Sequence, residues 1–97
     1  MATYAATVNS LRSAFAAGKL RTVESRRQQL KGLIAMLEEN KEAWMAALKK
    51  DLHKPAFEAE LCEVMFTLNE AKHAHNELAA WAKPEKVRED CGRWMTN

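Results

Sequence analysis

The chain is divided by the stretch Asp51-Leu52-His53-Lys54-Pro55, which separates two long amphipathic segments. Pro55 is tolerated at the first position of a helix, because the N–H that proline lacks would have no intrahelical partner there. It also disfavours helical geometry at the residue before it, Lys54. The stretch therefore predicts that one helix ends at about residue 51 and that another begins at about residue 56.

The segment after this break has the strongest periodicity in the chain. Its stripe residues recur alternately four and three positions apart, namely Phe57, Leu61, Val64, Leu68, Ala71, His75 and Leu78. This spacing places them on one face of a helix over 56–80. Such a helix is about 37 Å long, whereas a compact chain of this length has a radius of gyration of about 12.5 Å and a diameter of about 32 Å. We therefore expect structure outside this chain to cover part of the helix.

The segment before the break is predicted to hold three shorter helices. The first, over 3–17, is indicated by apolar residues on one face, and Gly18 is expected to stop it because glycine reaches the left-handed conformation without a Cβ clash. Thr22 is expected to cap the second helix, and Asn40 the third. Gly32 lies inside the second helix, which favours a close helix contact over simple tolerance of glycine. The chain is thus predicted to be all-α, with helices over 3–17, 23–39, 41–51 and 56–80.

Composition limits the class of protein. The chain has 97 residues, 47% of them apolar and 29% charged, which suits one small globular domain. A formal net charge of +2 is too small to indicate a nucleic-acid partner. Neither a leader peptide nor a run of eighteen apolar residues is recognisable, so no membrane segment is predicted and the expected location is cytoplasmic. Cys62 and Cys91 lack a paired spacing, and both are expected to be reduced thiols.

Two clusters of polar residues are candidate sites. Glu70, His73 and Glu77 give one Glu-x-x-His on a helix face, but a carboxylate-bridged metal pair needs a second, so an exposed charged face is the preferred interpretation. A basic cluster around the second helix start has no aromatic residues on which bases could stack, and it too is interpreted as a solvated face. It consists of Lys19, Arg21, Arg26, Arg27 and Lys31.

Single reactive or aromatic side chains are given structural roles. His75 is expected at the boundary of the apolar stripe and His53 in the loop. Cys62 has neither a cation nor a histidine at hydrogen-bond spacing, which predicts a packed thiol rather than a nucleophile. Trp44 and Trp81 are predicted to be packing residues. The residues by themselves identify no catalytic, cofactor-binding or metal-ligating position.

Several segments together resemble one enzyme family. In order and spacing they are similar to the amino-terminal helices of class 3 aldehyde dehydrogenases over about residues 8–88. The segments are Leu11 to Lys19, Arg27 to Leu33, Glu39 to Asp51, Asp51 to Pro55 followed by Glu58, Glu63 and Val64, and Trp81 to Val87.

The resemblance implies a fold, a reaction and partners. It implies that residues 1–88 are the helical start of a cofactor-binding domain, ahead of a Rossmann-type sheet. The parent enzyme would be a cytoplasmic dimer that oxidises aldehydes to carboxylic acids with NAD or NADP through a cysteine thiohemiacetal. Residues 89–97 depart from the family and are expected to be a disordered tail left by a truncated or alternative ending. The implied partner is the rest of the aldehyde dehydrogenase fold.

The family's reacting groups have no counterpart in this chain. Its catalytic cysteine follows a Gly-Gln pair, its general-base glutamate lies in a Glu-Leu-Gly-Gly run, and its asparagine lies in a Trp-Asn-Tyr-Pro run; none of these occurs here. Cys62 and Cys91 lack that context. The resemblance therefore implies no catalytic, cofactor-binding or metal residue, and the chain is expected to be inactive alone and to bind no cofactor itself. The alternative is a small helical interaction module, in which the Phe57–Leu78 stripe docks a partner helix or self-associates.

Overall fold

The chain forms four helices, described for residues 3–87 by a computed structural model. α1 is Tyr4–Ala16, α2 is Val23–Glu39, α3 is Lys41–Leu52 and α4 spans 56–81. α4 has three parts, which are one α-helical turn (Ala56–Glu58), a π-helical segment (Ala59–Met65) and a longer α-helix (Phe66–Trp81). Residues 3–87 contain no strand. The all-α prediction is confirmed, while the predicted tail over 89–97 lies outside the described residues.

α1 stands apart from the other helices. Thr3 caps it, its Oγ1 accepting a hydrogen bond from the Ala6 N–H at 3.2 Å. Gly18 ends the helical region with φ of +74°, the left-handed conformation predicted for it. None of the residues of α1 is buried, and Tyr4 is 92% exposed. The apolar face of α1 therefore has no cover within the described part of the chain.

α2 and α3 form one rod with a single-residue break. Thr22 caps α2 as predicted, since its Oγ1 accepts from the Ser25 N–H at 3.1 Å. The prediction that Asn40 caps α3 is wrong, because the Asn40 side-chain amide donates backward to the Met36 carbonyl at 2.9 Å and so closes α2. The predicted close contact at Gly32 is also wrong: no heavy atom outside its own helix backbone and chain neighbours lies within 4 Å of where a Cβ would be.

The direction of the chain reverses at residues 53–55. His53 adopts a left-handed conformation, with φ of 53°, and its N–H donates to the Lys49 carbonyl at 2.9 Å. Pro55 has ψ of 147° and lies at the N-cap, directly before Ala56, where the helix begins as predicted. α4 then runs back along α3 and α2. Its π-helical segment packs on α3 and its longer α-helix on α2, which makes a helical hairpin.

The core of the hairpin is a single narrow layer. Its buried apolar residues are Leu37, Ala59, Val64, Leu68 and Ala71. The predicted stripe is confirmed at Val64, Leu68 and Ala71 but is wrong at Phe57 and Leu61, which are 78% and 56% exposed. The cause is the π-helical segment, where bonds run from i to i+5 and each turn takes an extra residue. Ala59, five residues before Val64, takes the buried place instead.

The molecule is elongated. Its radius of gyration is 20.2 Å and its principal extents are 66 × 35 × 26 Å, whereas a compact chain of this length would have a radius of gyration of about 12.5 Å. Much of its apolar surface is consequently left at the outside.

Candidate functional site

The charged face of α4 holds no assembled metal site. In residues 3–87 no group of three His, Cys, Asp or Glu side chains is close enough to hold a metal ion. Glu70 and His73 are exposed, as predicted. The His73 ring lies edge-on to the Trp81 ring, with the ring centroids 5.5 Å apart and the planes at 71°. The histidine thus has a packing partner near the end of α4.

The other candidate reactive side chains are dispersed. His75 is half-buried at the edge of the core, as predicted, with Nδ1 3.4 Å from the Asn76 Oδ1. His53 lies exposed at the break. Cys62 is exposed, so the predicted packed thiol is wrong, and the π-helical segment is the reason because it turns this residue away from the hairpin. Cys91 lies outside the described residues.

Three ion pairs hold α4 in place, two of them to the other arm and one to the break at 53–55. Two of them anchor the π-helical segment: Lys41 pairs with Glu60, and Lys54 with Glu63. The third joins Lys72 of α4 to Glu38 of α2 at 2.6 Å. Since about half of each side chain in this third pair is exposed, the pair contributes at most about 1 kcal/mol. These pairs fix where α4 lies against α2, α3 and the break.

The pKa of Lys54 is raised above its ordinary value of 10.5. The main cause is the hydrogen bond that its ammonium donates to the Glu63 carboxylate, and the negative charges of Glu63 and Glu58 act in the same direction. Desolvation of the Lys54 ammonium, the second-largest influence on this pKa, acts in the opposite direction. The break and the π-helical segment are therefore linked by a charge-assisted contact.

Part of the basic cluster has a structural role. The Arg26 side chain donates to the Leu20 carbonyl at 2.7 Å and to the Arg21 carbonyl at 3.3 Å, and so holds the turn between α1 and α2. Arg27 lies 4.0 Å from the Glu24 carboxylate on the same helix. Lys19 and Lys31 are exposed. This arrangement favours the solvated-face interpretation over a nucleic-acid surface.

The remaining candidate for a functional surface is exposed apolar surface, which includes three areas. The α1 face consists of Tyr4, Val8, Leu11 and Phe15. A groove between the arms of the hairpin is lined by Leu33, Met36, Leu37, Trp44, Leu48, Glu63, Val64 and Thr67. The outer face of α4 consists of Leu61, Cys62, Met65, Phe66 and Asn69, which line a depression of about 560 Å³.

Trp44 and Trp81, the tryptophans within residues 3–87, are both exposed, although Trp81 lies outside the three areas named above. Trp44 is 40% exposed in the groove and Trp81 is 60% exposed beside His73. The prediction that both are packing residues is wrong within the described chain, since the hairpin is only one layer thick and does not enclose them. No helix within residues 3–87 combines the length and the apolarity needed to cross a membrane.

Comparison with known proteins identifies the relatives of this hairpin. The chain is 48% identical over 84 residues to aldehyde dehydrogenase family 3 member B1 of Bos taurus, and 47% identical over 81 residues to the Homo sapiens protein of the same name. These matches cover 87% and 84% of the chain. The chain matches class 3 aldehyde dehydrogenases along one segment of their length. The resemblance predicted from the sequence is confirmed.

The similarity extends to proteins of diverse organisms but covers only a short segment of each protein. A Neurospora crassa protein named beta-apo-4'-carotenal oxygenase is also similar, at 34% identity over 84 residues. The chain spans 18% of the bovine relative's length and 17% of the human relative's length. No protein-family model matches the chain, and no solved structure matches it.

Proposed function

We propose that this chain is the amino-terminal helical part of the cofactor-binding domain of an NAD(P)-dependent aldehyde dehydrogenase. The observation that carries the proposal is the similarity to family 3 members over 84 of the chain's residues at 48% identity. In the complete enzyme an aldehyde and water react to give a carboxylic acid, and a hydride passes to NAD⁺ or NADP⁺ with release of a proton. Residues 1–88 supply the helical part, and residues 89–97 diverge from the family.

The role of the chain in that enzyme is to provide packing surface. The α1 face and the outer face of α4 are exposed in the chain itself. Fully burying one large apolar side chain contributes about 1.5–3 kcal/mol, so covering the α1 face alone would stabilise the assembly by several such increments. The partner is the rest of the aldehyde dehydrogenase fold, which carries the reacting groups, and the chain is inactive without it. By family resemblance the enzyme is a dimer in the cytoplasm.

The proposal is tested with a chimera. In bovine aldehyde dehydrogenase family 3 member B1, the segment that this chain matches is replaced by the corresponding residues of this chain. Aldehyde-dependent reduction of NAD and of NADP is then measured for the chimera, for the bovine enzyme without the segment, and for the chain alone. The proposal expects activity in the chimera only. An inactive chimera of normal yield, or turnover by the chain alone, would contradict it.

A second candidate function is a small helical interaction module. The observation that favours it is the hairpin's own core, in which Leu37, Val64 and Leu68 are buried without any other part of the enzyme. Sedimentation and thermal unfolding of the chain alone separate the two. A monomer with a cooperative transition supports the module, whereas an aggregating chain without such a transition supports a segment that depends on its parent enzyme.

A further inference from the structure

α1 is an amphipathic helix that projects from the hairpin. The α1 face carries two aromatic residues, Tyr4 and Phe15, which are 92% and 85% exposed. The only charged side chain of α1 is that of Arg12, which flanks this face. A helix that presents an apolar face with few charges is suited to lie in an apolar groove of a partner.

The turn between α1 and α2 holds the α1 face away from the groove of its own hairpin. Gly18 is fixed in the left-handed conformation, and the Arg26 side chain donates to the carbonyls of Leu20 and Arg21. None of the residues that line the groove between the arms belongs to α1. With the turn in this geometry, only the groove of another copy is open to the α1 face.

The groove between the arms of the hairpin matches the α1 face in length and charge. Its lining extends from Leu33 to Leu48, which is about 22 Å along the rod, whereas the α1 face is about 16 Å long. Leu33, Met36 and Trp44 leave apolar surface exposed in it. Its only charged lining residue is Glu63, which is opposite in sign to Arg12. The groove can therefore accept the whole α1 face.

The area that two copies could cover is sufficient for a dimer. An aromatic side chain buries about 150–250 Å², so the exposed parts of Tyr4 and Phe15 in two copies amount to about 530–880 Å². With an equal area lost by the two grooves, the total is roughly 1,100–1,800 Å², which overlaps the range of about 1,200–2,000 Å² for stable interfaces. One α1 in one groove would bury only half of this, so reciprocal exchange is favoured.

We propose that two copies of this chain pair by exchanging α1, the α1 face of each copy lying in the groove of the other. Each copy then supplies the same two surfaces, so the assembly closes as a symmetric dimer. This pairing goes beyond the proposed function, because it concerns the chain by itself, where no other part of an enzyme covers the α1 face. It also differs from self-association through the Phe57–Leu78 stripe.

Sedimentation equilibrium of the full chain and its variants tests the exchange. Leu11→Lys places a charge in the centre of the α1 face, and Ser13→Lys places the same charge on the opposite side of α1. Met36→Lys places it in the groove, and Leu33→Lys tests the groove independently. We expect the parent chain to dimerise. Leu11→Lys and both groove variants should raise the dissociation constant about tenfold or more, and Ser13→Lys should leave it unchanged.

A mixture of variants separates exchange from other modes of pairing. The Met36→Lys copy keeps an intact α1 face and the Leu11→Lys copy keeps an intact groove, so their equimolar mixture should associate more tightly than either variant alone. Circular dichroism checks that each variant retains the helical spectrum of the parent chain. A monomeric parent chain, a dimer that Leu11→Lys does not weaken, or a dimer that neither groove variant weakens would overturn the proposal. The chimera tests the proposed function separately, so each can fail alone.

Discussion

Ala59 and Val64 lie five residues apart in α4, and both are buried against the preceding helices. In a regular α-helix, residues five apart differ in direction by about 140° and would not share a buried face. The π-helical segment brings their directions closer together, and ion pairs join it to α3 through Lys41 and Glu60 and to the break at 53–55 through Lys54 and Glu63. This local geometry accounts for both the core and the outer face of the hairpin.

The first prediction concerns the length of the π-helical segment. Deleting Cys62 removes the extra residue, and because Ala59 then lies four positions before Val64, a regular α-helix keeps both in the core. We expect the deletion variant to retain the hairpin with a urea midpoint close to that of the parent chain. Deleting Asn76 instead, in the regular α-helical part, rotates the end of α4 out of register and should lower the midpoint. Equal loss of stability in the two variants would contradict this account of the segment.

The second prediction compares a buried and an exposed apolar residue of α4. Leu68 lies in the hairpin core and is only 7% exposed, so Leu68→Ala removes buried methyl groups and leaves a cavity. We expect the free energy of unfolding to fall by about 2–3 kcal/mol. Leu61→Ala, on the exposed outer face of α4, should change the free energy of unfolding by at most about 0.5 kcal/mol. Urea unfolding monitored by circular dichroism measures both free energies. A larger effect at Leu61 than at Leu68 would contradict the burial of Leu68 and the exposure of Leu61.

The third prediction concerns Gly18 and Gly32. A Cβ at Gly32 would meet no atom, so Gly32→Ala should stabilise α2 by about 0.5–1 kcal/mol through the lower entropy of the unfolded chain. Gly18 has φ of +74°, and a Cβ there would lie 3.0 Å from the Arg21 Cζ. Gly18→Ala should therefore strain the turn by about 1–2 kcal/mol. Thermal unfolding reports the first change, and loss of helical signal from α1 reports the second; a stabilising Gly18→Ala would be inconsistent with the structure.

The fourth prediction concerns pH. Because Glu63 raises the pKa of Lys54 in the folded chain, the pair adds stability that is fully present below pH 10.5 and is lost as the pH rises through the folded-state pKa. Lys54→Met should be less stable than the parent chain at neutral pH, and the difference should shrink at strongly alkaline pH. Lys50→Met, which removes an exposed lysine of α3, is the matched control. A difference that persists unchanged at alkaline pH would show that Lys54 acts through packing alone.

Much of the fold could be predicted because it depends on local chemistry. The Thr22 cap, the Gly18 stop and the reversal before Pro55 each follow from the conformational preference of one residue. Asn40 was mispredicted because an asparagine side chain can bond either to the helix it follows or to the helix it precedes, and the sequence does not distinguish them. The bond to the Met36 carbonyl decides it.

The π-helical segment could not be predicted from the spacing of apolar residues. Phe57, Leu61 and Val64 recur at the intervals of a regular α-helix, which conceals the extra residue. The two geometries differ in the contacts that the segment makes with α3, through Lys41, and with the break, through Lys54, and the spacing of apolar residues does not reveal those contacts. The exposure of Cys62 was missed for the same reason. The exposed α1 face was predicted as a stripe, but its cover is not within residues 3–87.

We propose that this hairpin serves as the helical part of a class 3 aldehyde dehydrogenase. The most direct measurement is aldehyde-dependent NAD(P) reduction by the bovine enzyme in which the matched segment has been replaced by this chain, compared with the same enzyme lacking the segment. We predict that the replacement restores activity that the deletion abolishes. A chimera as inactive as the deletion, at equal yield and purity, would contradict the claim.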